Sequence, residues 1–219
     1  TCLGSLATWT WGENTQQLVT DMNACACGNP LMIFDTNKDG NGGVTAEGNP
    51  CVMKLYSFKI SEDDAVRRDF VPCWSEAEQT AGLYDFVEGK FYPNASGTGA
   101  FVAGTNPWTL PAGYRQVDYL ESTDRVYIVT GIRAQRQTKV ELGMALTELS
   151  GDVGLLGARG GSGEGFQLFV GSNGRTLGTG WGEGDGPRRA DTGFAPRAGE
   201  QHLYEVYGDG RLVIDGVEW

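Results

Sequence analysis

The sequence predicts an all-β protein, folded as an antiparallel sandwich of two sheets. Glycine makes up 34 of the 219 residues, roughly twice its usual ~7% share, and the glycines separate short apolar runs, as tight turns between strands would. Within those runs apolar and polar residues alternate, which is the period of a half-buried strand. No segment combines a long helical period with capping residues, so we expect no extended helix.

Val52–Ile60 (VMKLYSFKI) is the clearest strand. Its alternation predicts Tyr56, Phe58 and Ile60 on one face and Leu55 on the opposite face. Further runs of the same character are Leu6–Trp11, Leu31–Phe34, Val126–Ile132, Lys139–Leu146, Gly165–Val170, Leu203–Tyr207 and Leu212–Ile214.

Turn residues between these runs predict hairpins and loops. Tyr207–Arg211 (YGDGR) joins two alternating runs, and Gly171–Gly174 (GSNG) follows a strand in the same way. Glu13–Asn23 (ENTQQLVTDMN) is the best helix candidate and fits a loop equally well. We expect Gly182–Gly199 to be a polar loop and Asn94–Pro111 to be a linker, because they lack apolar alternation.

The charge balance disfavours several classes of partner. The net charge is −11 and the pI is about 4.5, whereas a protein that binds phosphate backbones is expected to have a basic surface. Nucleic acid and anionic membrane surfaces are therefore not predicted partners. No stretch approaches the ~18 apolar residues of a membrane-spanning helix, so membrane insertion is not predicted either.

The cysteines leave the redox state open. The odd count leaves at least one thiol free or paired between chains. Because two of the cysteines form a C-x-C motif and His202 is the only histidine, a structural zinc site is disfavoured. Disulfides would fit an extracellular protein. The five cysteines, whose pairing the spacing does not determine, are Cys2, Cys25, Cys27, Cys51 and Cys73.

Two groups of motifs carry a resemblance to a known family. Leu110–Thr123 (LPAGYRQVDYLEST) and Val126–Ile132 (VYIVTGI) resemble the opening of laminin-G-like, concanavalin-type jelly-roll domains of bacterial surface and phage structural proteins. Tyr204–Gly216 resembles the central hairpin of that family, and Leu31–Phe34 the strand after it. Segments that resemble its closing strands are Met53–Ile60, Arg68–Cys73, Gly82–Asp85, Gly89–Tyr92, Gly97–Gly99 and Phe101–Gly104.

The resemblance implies a jelly roll whose halves are written in permuted order. Residues 110–219 would be its N-terminal half, 105–109 a linker and 1–104 its C-terminal half, giving one sandwich in total. Three explanations fit: a circular permutant, an excised unit of a tandem array, or a swapped polymer in which 110–219 of one subunit completes 1–104 of the next. The chain begins at Thr1, so we expect a processed product, a fragment or an excised unit.

The function that this resemblance implies is structural. We expect a non-enzymatic subunit of an extracellular filament or of a phage fibre or decoration, whose partners are copies of itself. The alternative is a carbohydrate-binding adhesion module that recognises glycans, with calcium as its one candidate cofactor. Either function implies an extracellular, cell-surface or virion location.

Catalytic motifs are missing from the sequence. Concanavalin-like glucanases often carry their two carboxylates as E-x-D-x-x-E on one strand, and this chain has no such motif. Glu62-Asp63-Asp64 follows a strand and is predicted to be a solvated turn. His202 has no G-x-S-x-G partner, so it is predicted to be an ordinary strand histidine. We therefore expect no enzyme.

Two sets of residues are candidate binding sites. Asp35, Asn37 and Asp39 match the opening of a calcium loop, in which alternating Asp and Asn supply hard oxygen ligands. That loop lacks its closing acid, and the alternative interpretation is a polar hairpin loop. Trp108, in the linker, and Trp181, in a glycine-rich setting, are the candidates for stacking against a sugar.

Overall fold

A computed structural model describes residues 5–11, 14–20, 28–39, 43–48, 51–105, 110–123, 125–160, 165–182 and 188–219, of which 5–11, 14–20 and 188–191 are described through the backbone alone. The described residues form nineteen strands and no helix, which confirms the all-β prediction. Within these residues no helix is long and apolar enough to cross a membrane. The strands are β1 (Ser5–Trp11), β2 (Asn14–Thr20), β3 (Pro30–Ile33), β4 (Met53–Glu62), β5 (Ala65–Ser75), β6 (Thr80–Asp85), β7 (Lys90–Pro93), β8 (Val102–Ala103), β9 (Tyr114–Gln116), β10 (Leu120–Glu121), β11 (Ile128–Arg133), β12 (Thr138–Leu146), β13 (Val153–Arg159), β14 (Gly165–Val170), β15 (Leu177–Gly182), β16 (Arg188–Asp191), β17 (Gln201–Tyr207), β18 (Leu212–Ile214) and β19 (Val217–Glu218).

Two large antiparallel sheets contain all but two of these strands. The eleven-stranded sheet runs β19-β18-β17-β12-β4-β5-β6-β7, with β10 pairing with β4 and β8, and β9 pairing with β5. The six-stranded sheet runs β11-β3-β13-β14-β15-β16, and β1 pairs with β2 separately. Both hairpins predicted from their turn residues are present, as β17–β18 and β14–β15.

One hydrophobic core lies between the two large sheets and makes the fold a sandwich. The eleven-stranded sheet supplies Phe58 and Tyr204, among others, and the six-stranded sheet supplies Ile33 and Phe166, all at most 1% exposed. Their burial from water is the main favourable contribution to folding. The prediction that the strands are connected in the order of a jelly roll stays a prediction.

Strand β4 differs from its predicted facing at its N-terminal end. Leu55 is fully buried in the core with Phe58 and Ile60, whereas Tyr56 is only partly buried. The reason is a β-bulge: Gly143 pairs with Ser57, but the next residue of β12 pairs with Leu55. The extra residue shifts the alternation by one position and reverses the faces before it.

Three segments in which the sequence predicts no strand contain strands in the structure. Asn14–Thr20, inside the predicted helix or loop, is strand β2, since it pairs in register with β1 and its Thr and Val residues favour strands. Arg188–Asp191, inside the predicted polar loop, pairs with β15. Within the predicted linker Asn94–Pro111, Phe101 is buried in the core and β8 pairs with β10.

Both large sheets combine strands from the two sides of the predicted linker 105–109. Strand β4 lies between β12 and β5, and β3 lies between β11 and β13. The pairing of β4 with β12 spans nine residues of β12. The linker itself, beyond residue 105, lies outside the described residues, and the permuted order stays a prediction.

Candidate binding site on the six-stranded sheet

Strand β14 separates the two faces of the six-stranded sheet. Phe166, Leu168 and Val170 belong to the core. Because side chains alternate along a strand, Gln167 and Phe169 lie on the opposite, outer face. An amide in an otherwise apolar strand is the first sign of a polar site there.

The loop that follows β3 lies against this outer face. Phe34 has a φ of 73°, which turns the chain out of the strand. The backbone N–H of Phe34 donates to the carbonyl of Leu155 at 2.8 Å, and that of Asn37 donates to Gly157 at 3.1 Å, so the loop follows β13. A Cβ at Gly154 would overlap the hydroxyl of Thr36. Glycine is therefore required where the loop approaches the strand.

A cavity of about 250 Å³ opens between this loop and β13–β14. Its volume lies below the ~300–1,000 Å³ of sites for drug-sized ligands, so it suits one small unit of a ligand. Two carboxylates, an amide, a hydroxyl and one aromatic ring make up most of its side-chain chemistry. The lining residues are Thr36, Glu47, Asp152, Val153, Gly154, Gln167 and Phe169.

In the described structure, Gln167 is the residue of the pocket whose buried side chain has an unsatisfied polar atom. It is 3% exposed, and its Oε1 has no hydrogen-bond partner in the described part of the chain. A buried acceptor left unpaired costs about 1–3 kcal/mol. Gly180 lies directly opposite in β15, where a Cβ would come 3.1 Å from that oxygen. A hydroxyl or amine donor in the pocket would satisfy the acceptor.

The two carboxylates of the pocket differ in their surroundings. Glu47 forms an ion pair with Arg159, with 2.5 Å between Oε1 and Nη2, so its charge is compensated. Asp152 lies exposed in the turn before β13, with a φ of 57°. No described residue forms an ion pair or a side-chain hydrogen bond with Asp152. Its charge is therefore available to a ligand.

The predicted calcium ligands lie together in the loop beside this pocket. Asp35 accepts hydrogen bonds from the N–H groups of Thr36 and Gly48, at 2.6 and 3.2 Å, and burial raises the pKa of its carboxyl. The Asn37 amide oxygen accepts from Asp39 N–H at 3.2 Å, and Asn37 is fully buried.

The oxygens of these side chains thus accept hydrogen bonds from the loop itself. This is what the alternative interpretation, a polar hairpin loop, leads us to expect. Asp39 accepts from the Gly43 N–H and the Thr45 hydroxyl at 3.1 and 3.0 Å. Across the described ranges, no three His, Cys, Asp or Glu side chains form a group that could hold a metal ion. Calcium binding by Asp35, Asn37 and Asp39 stays a prediction.

The predicted sugar-stacking tryptophans are not in this pocket. Trp181 packs against the core on the face of β15 opposite to Gly180, and its ring lies on Gly210 of the β17–β18 turn. Trp108 lies outside the described residues. The aromatic ring in the pocket is instead that of Phe169.

The two described cysteines are free and buried, and burial raises the pKa of both thiols to about 12. These thiols, Cys51 and Cys73, are therefore neutral and inert at neutral pH. The other three cysteines lie outside the described residues.

His202 lies in strand β17, as predicted. Its Nδ1 is 2.7 Å from Asp215 Oδ2, and this hydrogen bond lowers the pKa of the Asp215 carboxyl. The other ring nitrogen is buried and has no hydrogen-bond partner among the described residues. No serine or cysteine nucleophile is hydrogen-bonded to the ring in the described structure.

Comparison with protein-family models, with curated proteins and with solved structures gives no match. The class of protein that the structure itself defines is an all-β sandwich with a polar pocket on the outer face of its smaller sheet. Its likeness to laminin-G-like domains stays a prediction.

The sequence alone does not predict which residues form this pocket. One signal was present, since Gln167 interrupts the apolar strand Gly165–Val170 (GFQLFV) on a face that could have been solvated. Glu47 and Asp152 come from separate turns, and only the fold brings them to β14.

Proposed function

We propose that this chain is a non-enzymatic carbohydrate-binding module and that the pocket on the six-stranded sheet holds one sugar ring. The observation that carries the proposal is the buried Oε1 of Gln167, a residue that lines the pocket, because this oxygen has no hydrogen-bond partner among the described residues. A sugar hydroxyl is a donor of the right kind, and pairing it with Gln167 would remove the desolvation cost of the amide.

The other residues of the pocket suit the same ligand. A sugar ring has hydroxyls at its edge and an apolar C–H face, so it needs both polar partners and an aromatic surface. Phe169 is half-buried and supplies the aromatic ring. Asp152 supplies an exposed carboxylate at the rim, and Thr36 supplies a hydroxyl from a buried position in the lining. A few placed polar groups of this kind determine the orientation of a ligand.

The resemblance of the sequence to laminin-G-like jelly rolls agrees with this proposal, because such folds carry binding sites on a sandwich scaffold. The proposed location is extracellular, on a cell surface or a virion. Glu47 is tied to Arg159, which leaves the pocket without a second unpaired carboxylate of the kind that glycoside hydrolysis needs.

The test is to measure the affinity for short neutral oligosaccharides, chosen from a glycan screen, by isothermal titration calorimetry. Gln167→Met, which keeps the side-chain length and removes the hydrogen bond, is expected to weaken binding roughly tenfold. The matched control is Gln201→Met, an exposed glutamine on the other sheet, which should leave affinity unchanged. No binding by the unchanged protein, or equal binding by both variants, would overturn the proposal. Repeating the titration with a chelator tests the calcium loop.

Self-assembly into a filament is the second candidate function, and a specific surface favours it. Strand β19 is two residues long and lies at the end of the eleven-stranded sheet, paired with β18 alone among the described strands. Val217 in β19, Trp219 directly after it and Leu203 in β17 are 58%, 50% and 45% exposed. An unpaired strand edge with apolar neighbours is a template for a strand of another chain. The proposed occupant is a second copy of this chain.

Native mass spectrometry and electron microscopy of the purified chain test the self-assembly. We expect oligomers or filaments, and Val217→Lys should shift the distribution towards the monomer, because a charged edge opposes strand addition. The control is Val66→Lys, since Val66 is 44% exposed in β5 and distant in sheet order from β19. A monomer at all concentrations would refute this candidate and leave the sugar pocket unaffected.

A further inference from the structure

The charged side chains that line the pocket are acidic. The lining contains two carboxylates and no lysine or arginine. Of the two, Glu47 is compensated by Arg159, whereas no described side chain pairs with Asp152. The pocket is therefore electrostatically unsuited to a ligand that is itself an anion.

A buried carboxyl group beside the pocket adds to this field. Asp35 lies beside the pocket wall, next to Thr36, and its carboxyl accepts hydrogen bonds from the backbone N–H groups of Thr36 and Gly48, with no cationic partner among the described residues. The whole chain adds a net charge of −11. A negative pocket in a negative protein raises the local concentration of cations and repels anions.

From this geometry we infer that the natural occupant of the pocket is a sugar with a free, cationic amino group. The inference rests on the proposed function, because it names the class of sugar that the same pocket binds. The ammonium group pairs with the carboxylate of Asp152 at the rim, and a ring hydroxyl donates to Oε1 of Gln167 at the wall. Two recognition elements, one charged and one neutral, then specify one ring.

Alternative ligands fit less well. A sugar acid would place its carboxylate next to Asp152, where like charges repel. An N-acetylated sugar keeps the hydroxyl contacts but loses the charge. A neutral sugar satisfies Gln167 and leaves Asp152 without a partner. Affinity should therefore decrease in the order amino sugar, neutral or acetylated sugar, and sugar acid.

The experiment compares four ligands of similar length by isothermal titration at mildly acid pH: a glucosamine oligomer, its N-acetylated form, a glucose oligomer and a uronic acid oligomer. The unchanged protein should bind the glucosamine oligomer about two- to fivefold more tightly than the neutral ones, as is usual for an exposed ion pair. The difference should shrink as salt is added, because screening weakens exposed charge pairs.

Asp152→Asn is the decisive variant. Asparagine tolerates the left-handed backbone conformation that Asp152 adopts, so the turn is expected to keep its shape while the charge is lost. The variant should bind the amino and neutral oligomers equally. The control is Asp64→Asn, an exposed aspartate with a φ of 61° in the β4–β5 turn, which should keep the preference.

The outcomes separate the two proposals. Equal affinity for amino and neutral oligomers, or a preference that survives Asp152→Asn, overturns the amino-sugar inference and leaves sugar binding intact. Tighter binding of the uronic acid oligomer also overturns it. If the protein binds none of the four ligands, the proposed function and the inference fail together.

Discussion

Gln167 links binding to stability at the scale of a single residue. Its Oε1 is buried without a partner among the described residues, so the unliganded fold carries an unmet hydrogen bond. Replacing it by methionine, of similar length, removes the polar atom. We expect Gln167→Met to raise the free energy of unfolding by about 1 kcal/mol, measured by urea denaturation without ligand, because apolar replacement of an unsatisfied group is neutral or stabilising.

Gln201→Met is the control for this measurement. Gln201 is exposed in β17, and surface substitutions usually change stability by less than ~0.5 kcal/mol. A clear loss of stability in Gln167→Met would contradict the prediction, since it would mean that the amide is satisfied, for example by a bound water. A variant that is more stable and binds less would show the trade-off expected of a binding site.

The facing of single side chains was predictable only where alternation is regular. Phe58 and Ile60 share one face as the pattern predicts, and that face is the buried one, but Leu55 and Tyr56 exchange faces across the bulge in β4. A bulge depends on how the partner strand pairs, and that information lies in β12, more than eighty residues away in the sequence. Likewise, the sequence around Asp152 carries no sign that this residue lines the same pocket as Gln167.

At the scale of elements, the side chain of Arg68 helps to connect the two sheets. Arg68 in β5 donates from Nε to the carbonyl of Thr130 in β11 at 3.1 Å. Its Nη2 is 2.7 Å from Glu88, and its Nε is 3.6 Å from Asp85, whose side chain is completely buried. Only 13% of the Arg68 side chain is exposed. Arg68 therefore forms its ion pairs with Asp85 and Glu88 at the edge of the core.

Removing this connection should destabilise the sandwich. Arg68→Met keeps the aliphatic stem but leaves Asp85 without its cation and the Thr130 carbonyl without its donor. We expect a loss of about 2 kcal/mol in the free energy of unfolding, measured by urea denaturation, because breaking a buried ion pair leaves an uncompensated charge.

The neighbouring residue provides the control. Arg67 pairs with Glu62 but has 51% of its side chain exposed, and exposed ion pairs contribute about 0–1 kcal/mol. Arg67→Met should therefore change stability only slightly. Equal losses in both variants would show that the cross-sheet contact adds nothing to an ordinary surface pair.

Strands with regular apolar alternation and recognisable turn residues were predictable from the sequence. Strands that form only through pairing with another strand were not. The β17–β18 hairpin follows from its Gly-Asp-Gly turn, because that turn needs no distant contact. Asn14–Thr20 forms a strand through its pairing with Ser5–Trp11, although its own pattern fits a helix or a loop. Arg188–Asp191 depends in the same way on β15.

At the scale of the whole molecule, the sandwich brings together segments that are distant in the chain. Both sheets combine strands from 5–104 and 110–219, as the pairing of β4 with β12 and β10 and of β3 with β13 requires. The fold class was predictable, since glycine spacing and alternation are properties of the whole sequence. The pocket was not, because its lining residues meet only after residues 34–37 fold back along β13.

Two buried cysteines, Cys51 in the core and Cys73 in a smaller cluster with Tyr84 and Phe91, contribute to how the whole molecule responds to alkali. Burial raises the pKa of the Cys51 and Cys73 thiols from 9.0 to about 12. In the unfolded chain the same thiols ionise near pH 9, so between pH 9 and 12 the unfolded state loses protons that the folded state keeps. The contribution of these two thiols to stability is therefore fully present below pH 9 and is lost as the pH rises towards 12, by up to about 1.4 kcal/mol per pH unit for each thiol.

Urea unfolding between pH 8 and 11, followed for the protein and for Cys51→Ala/Cys73→Ala, tests this response. The variant should be less stable at pH 8, because alanine leaves small cavities, but its stability should decrease less steeply with pH. The remaining cysteines and the tyrosines are the same in both proteins, so the difference in slope reports on the two buried thiols alone. Parallel slopes would mean that these thiols ionise in the folded state as readily as in the unfolded one, and the sandwich would then be open to solvent at Cys51 and Cys73.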